Sequence, residues 1–113
     1  MQKYPNPSEV EQVIQKQLDA YNAHDIEAFM AMWADDALYF EHPSTLLASG
    51  AEAIRARHVA RFQEVNLFAR LNQRMVLGNK VVDQETVIRT FPEGTGTIDV
   101  IVTYEVLNGK VAK

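Results

Sequence analysis

The spacing of apolar residues changes period part-way along the chain. Val10, Val13, Ile14, Leu18 and Tyr21 recur at helical intervals and make one apolar stripe, with Gln17 also on it. Ser8-Glu9-Val10-Glu11 has the form of a capping box, which predicts a helix starting at Glu9. Asn22-Ala23-His24-Asp25 breaks the pattern, and Asp25 suits the N-cap of a second, short helix carrying Phe29, Met32 and Trp33. Ala34-Asp35-Asp36 ends it. Leu38-Tyr39-Phe40-Glu41-His42 reads as a strand, closed by Pro43. Ser49-Gly50-Ala51-Glu52 is a second capping box, opening a third helix with Ile54, His58, Phe62 and Val65 on one face.

After residue 66 the period is two. Leu67, Ala69, Leu71, Met75 and Leu77 alternate with Phe68, Arg70, Asn72, Arg74 and Val76. Gly78-Asn79 predicts a tight turn into a strand from Lys80 to about Phe91. Pro92-Glu93-Gly94-Thr95-Gly96 turns the chain again. The clearest strand follows: Ile98, Val100, Val102, Tyr104 and Val106 share one face, and Thr97, Asp99, Ile101, Thr103 and Glu105 the other. Asn108-Gly109 is a strong hairpin signal, with only Lys110 to Lys113 after it. Helices followed by antiparallel strands mean an α+β domain, with three N-terminal helices over one face of a strongly bent sheet.

Length and composition narrow the choice. The chain has 113 residues, 47% of them hydrophobic, which fits one domain spanning residues 1–113. Without cysteine there are no disulfides, thiolate nucleophiles or cysteine-ligated metals. The balance of 11 basic and 15 acidic residues argues against general nucleic-acid binding. The longest apolar run, Ala28 to Ala34, is far short of the roughly 20 residues that span a bilayer. The N-terminus does not read as a signal peptide, so the expectation is a cytoplasmic protein with no membrane partner. Arg55, Arg57, Arg61, Arg70 and Arg74 make a locally basic stretch, read as a solvated helix face and a strand edge.

Four motifs in order then carry a resemblance. Tyr21-Asn22-Ala23-His24-Asp25, Trp33-Ala34-Asp35-Asp36-Ala37, Glu41-His42-Pro43 and Gly50-Ala51-Glu52-Ala53-Ile54-Arg55 resemble the nuclear transport factor 2-like superfamily. More narrowly they are similar to its SnoaL-like and ketosteroid isomerase-like bacterial members. The resemblance implies a cone: a curved antiparallel sheet around a long helix, an internal pocket at the open end, and a homodimer through the sheet. It also implies a full strand after the last hairpin, where this chain has four residues. Such a fold hosts enzymes, binding proteins and dimerisation modules alike.

The isomerases of that superfamily use a first-helix tyrosine, a late-strand protonated aspartic acid and an aspartate beside a proline. Those positions fall on Gln17, Val102 and His42, so the usual isomerase triad is not matched. Asp99 lies near Val102 with the opposite parity and should point away from the pocket. His42 is the candidate acid or base, since a neutral imidazole takes a proton near pH 7. Leu38, Phe40 and His42 share a face that alternation aims at the helices. Gln17, Tyr21, Trp33, Phe40, His58, Val102 and Tyr104 are the candidate ligand contacts, in the usual form of an apolar cavity with a few polar groups. Gln17 is equally readable as an amide satisfied by backbone, and His58, Tyr21, Trp33 and Tyr104 as core residues with polar tips.

His24, His42 and His58 show no zinc spacing, and no cofactor motif is present. The sequence therefore points first to a protein binding a small hydrophobic molecule, with a carbonyl compound as the possible substrate. Proton transfer by His42, or a dimerisation module with a vestigial pocket, are the alternatives. Met75 and Ile101, on mixed outer faces, suit a homodimer contact.

Overall fold

The computed structural model describes residues 7–41 and 45–113, so His42 and Pro43 lie outside the described residues. Helices α1 (Pro7–Asn22) and α2 (Ile26–Met30) lead into strands β1 (Leu38–Glu41) and β2 (Thr45–Ser49). Helix α3 (Ala51–Arg61) follows, then β3 (Phe68–Leu77), β4 (Lys80–Phe91), β5 (Gly94–Leu107) and β6 (Lys110–Val111). The last four form one curved antiparallel sheet, in sequence order and not closed, while β1 and β2 pair separately as a hairpin.

The stripe of α1 buries Val10, Ile14, Gln17 and Leu18 against the sheet, chiefly against β3. Its end is fastened there. The Asn22 side-chain amide donates to the Ala69 carbonyl (2.9 Å) and its oxygen accepts from the Ala69 N–H (2.8 Å). His24, at φ 55°, donates a ring N–H to the Leu67 carbonyl at 2.8 Å. Asp25 then caps α2, its carboxylate accepting from the Ala28 N–H at 3.1 Å. The short β6 ties the far end to the helices. Val111 N–H donates to Met32 O (2.7 Å), Ala34 N–H to Val111 O (2.9 Å), and Leu38 N–H to Ala112 O (3.0 Å). Positive φ at both Asn108 (53°) and Gly109 (75°) closes the β5–β6 hairpin as the sequence predicts.

Five local expectations are corrected. Helix α1 begins at Pro7, two residues before Glu9. Strand β2 (Thr45–Ser49) has no counterpart in the hydropathy pattern. The cap of α3 is Gly50, at φ 88° and without a side-chain bond, because Ser49 is drawn into β2. Helix α3 stops at Arg61, so Val65 lies beyond it and is exposed rather than on its apolar face.

The fifth concerns facing. The β1–β2 register shifts between Tyr39 and Phe40 through an extra residue on β2, Leu47, and a bulge interrupts β3 at Asn72, between Leu71 and Gln73. One extra residue swaps the faces of everything beyond it. β1 itself carries no extra residue; its faces are simply the reverse of the expected ones, with Tyr39 joining the core and Phe40 43% exposed. In β3 the bulge turns Arg74 inward, while Met75, as its outer-face reading expects, and Leu77 are exposed (64% and 83%).

Candidate functional site

The inward face of β4 carries Val81, Asp83, Glu85 and Val87, all buried. Two acids beside two valines in a central strand require an explanation, because a buried charge costs several kcal/mol unless it is paired. Asp83 is paired. Arg74, brought inward by the β3 bulge, meets it with two hydrogen bonds, Nε to Oδ1 at 2.7 Å and Nη2 to Oδ2 at 2.9 Å. The third arm of the guanidinium donates to Gln15 Oε1 on α1 at 2.9 Å, with Glu11 at 3.7 Å behind it.

Glu85, two residues on, has no such arrangement. It is 5% exposed, and its Oε2 is buried with no hydrogen-bond partner among the described residues. Burial, reinforced by the Asp83 carboxylate and only partly countered by Arg74, pushes its carboxyl up to about 7. Its cross-strand neighbours are Leu71 on β3 and Val100 on β5, with Val102 opposite Asp83 and Tyr104 opposite Val81. Leu71, Val100 and Val102 are only half-buried, and Ile98 further along that face is 38% exposed. Tyr104 is buried, and that burial, with Glu85 and Asp83 near it, holds its hydroxyl well above the usual phenol range.

Between the helices and β1 lies a cluster of rings. Phe29 sits 4.5 Å from His58 and 5.8 Å from Trp33, Tyr21 5.4 Å from Phe62, and Tyr39 5.5 Å from His58. Spacings of this order suit tilted and edge-on aromatic packing. The His58 Nδ1 bonds the Ile54 carbonyl at 2.8 Å. A carbonyl only accepts, so Nδ1 carries the proton and Nε2 is left as an acceptor. Burial lowers the imidazole to about 4, and the charges of Arg61 and Arg57 add to it, against the Ile54 bond. His58 is thus neutral across the physiological range. Trp33 Nε1 is a second buried atom without a partner among the described residues.

The sequence-derived candidates are spread over both regions. Gln17, Trp33, His58 and Tyr104 are buried, and Tyr21 and Val102 are half-buried. Trp33 and His58 share the ring cluster with Tyr21, while Val102 and Tyr104 lie on the inner wall. Phe40 faces outward, and His42 lies outside the described residues. Asp99 accepts from the Thr86 hydroxyl (3.0 Å) on the outer face, away from Val102, as its parity requires. The residues that the sequence reading missed are Arg74, Asp83 and Glu85. The available signal was an acid at two successive inward positions of a central strand, opposite valines. No group of three or more metal-ligating side chains occurs among the described residues. An open hollow of about 530 Å³ lies at the β6 end, where Trp33, Asp35, Asp36, Leu38 and Lys110 line it.

A family model described as a SnoaL-like domain matches residues 14–113. No curated protein matches the sequence. Among solved structures, an uncharacterised cystatin-fold protein from Novosphingobium aromaticivorans is similar at 23% identity, covering 92% of each chain with a TM-score of 0.83. An LEH-like epoxide hydrolase of M. tuberculosis is similar at 17% identity over 96% of this chain and 80% of that one, TM-score 0.83. A nuclear transport factor 2-like protein of unknown function from Burkholderia pseudomallei is similar at 16% identity, over 92% and 86%, TM-score 0.78. At these identities the likeness is one of fold.

Proposed function

The chain belongs to the SnoaL-like domain family, and from that premise we propose that it binds a small hydrophobic molecule between its helices and the inner face of its sheet. One observation carries this reading. Val100, Val102 and Leu71 face the helices yet stay half-buried, so an apolar wall inside the fold is left partly uncovered. A mostly apolar concavity with few polar groups is the usual form of a small-molecule site. Gln17, Tyr21, Trp33, His58, Val102 and Tyr104 are the proposed contacts, with Phe40 at the hairpin rim. His42, beside Pro43, is the proposed acid or base should the ligand be a carbonyl compound that is turned over.

A thermal-shift screen of apolar ring compounds on wild type and Val102→Trp tests it. A ligand at a hundred times its Kd adds about 2.7 kcal/mol to the native state. The expected result is a raised Tm in wild type that Val102→Trp abolishes by filling the wall. A shift of equal size in both proteins would place the ligand elsewhere.

We also propose a homodimer through the outer sheet face, where Met75, Leu77 and Ile101 are exposed together. Light scattering at micromolar concentration should give twice the chain mass in wild type and the single mass in Ile101→Lys. A wild-type monomer would refute it.

A further inference from the structure

We propose that Glu85 is the polar anchor of the inner wall: its unpartnered Oε2 accepts the hydrogen bond donated by a hydroxyl group on a bound apolar ring compound. The inference rests on the ligand-binding reading above and adds the residue that orients the ligand and the group it recognises.

Three observations lead to it. First, both oxygens of Asp83 are taken by Arg74, whereas Glu85 Oε2 is buried and bonded to nothing among the described residues. An acceptor left so is unfavourable unless something donates to it. Second, Leu71 and Val100 lie directly across the ladder from Glu85, and both are half-buried. A ring stacked on that apolar surface would have its edge beside the carboxyl. Third, Glu85 occupies the middle of a central strand rather than a loop, so its position is fixed on both sides.

Asp83 acts as a positioning residue for Glu85 through charge. The charged and titratable groups around Glu85 are Asp83 on its own strand, Arg74 on β3, Tyr104 on β5, and Glu11 of α1 behind Arg74. The Asp83 charge disfavours a second carboxylate beside it, and Arg74 favours one. Burial first, and the Asp83 charge after it, push the Glu85 carboxyl up to about 7, so its acceptor strength should follow pH: strongest as the carboxylate, weaker once protonated.

The test compares 2-naphthol with 2-methoxynaphthalene, which has the same ring system but no donor. Both are titrated calorimetrically into wild type and Glu85→Leu at pH 8. Wild type should prefer the naphthol by about tenfold, the scale of one charge-assisted hydrogen bond. Glu85→Leu should bind both equally and unfold at a Tm no lower than wild type, because it removes an unsatisfied group. The wild-type preference should shrink between pH 8 and pH 6, and Asp83→Asn should shift that change to lower pH. Equal binding of both probes by wild type, or a preference surviving in Glu85→Leu, would overturn the anchor and leave the apolar wall standing. A wild-type preference that does not vary with pH would overturn it too, independently of any variant's folding. Failure of both probes to bind either protein would overturn the wall reading, and the anchor with it.

Discussion

Arg74→Ala loses about 3–5 kcal/mol of stability in urea unfolding at pH 7, the cost of leaving a buried carboxylate without its partner. The Arg74 side chain is 6% exposed and that of Asp83 fully buried, so water cannot replace the lost bonds. The guanidinium also joins β3 to α1 through Gln15, and the deletion removes that tie as well. Replacing both partners by apolar residues of similar size, Arg74→Met with Asp83→Leu, should restore most of the loss, because no charge is then stranded. A loss below about 1 kcal/mol for Arg74→Ala, the range of exposed pairs, would contradict the buried placement.

Two buried groups set opposite pH dependences in the same window. Glu85 holds its proton more tightly in the folded chain than the usual 4.5, so its contribution falls as pH rises from 4.5 to about 7. His58 holds its proton less tightly than the usual 6.5, so its contribution falls as pH drops from 6.5 to about 4. Between pH 4.5 and 6.5 the two slopes oppose each other, and wild-type stability should be nearly level. Glu85→Leu leaves the histidine alone, and stability should climb by about 2–3 kcal/mol over those two pH units. His58→Phe leaves the glutamate alone, and stability should fall by a similar amount. Glu64, lowered to about 2 chiefly by its bonds to Arg89, acts below that window. Urea unfolding at pH 4.5, 5.5 and 6.5 decides it. Parallel curves for all three proteins would contradict both assignments.

The parts of this fold that were legible in the sequence are those held by local chemistry. Asp25 caps α2 wherever it sits, and Asn108-Gly109 closes its hairpin through two positive φ angles. The even alternation of β5 put Val102 and Tyr104 inside and Asp99 outside, and the structure agrees. Thr45-Leu46-Leu47-Ala48-Ser49 was not legible as β2, because three adjacent apolar residues do not alternate and the strand takes its pairing from β1. The bulges were not legible either. Nothing in Leu71-Asn72-Gln73 marks the extra residue, yet it decides that Arg74 rather than Met75 faces inward.

That single slip also hid part of the candidate site. In β4 both faces mix polar and apolar side chains, Val81, Asp83, Glu85 and Val87 against Val82, Gln84, Thr86 and Ile88. Hydropathy cannot say which of them turns in. Only the cross-strand guanidinium does, and its position depends on the β3 bulge.

The proposed function places an apolar molecule on the inner wall. Methyl-resolved NMR on addition of 2-naphthol tests it most directly. The expected shifts are confined to Leu71, Val100 and Val102, with Met75, Leu77 and Ile101 unmoved. Shifts on Met75, Leu77 and Ile101 with an unperturbed inner face would contradict it.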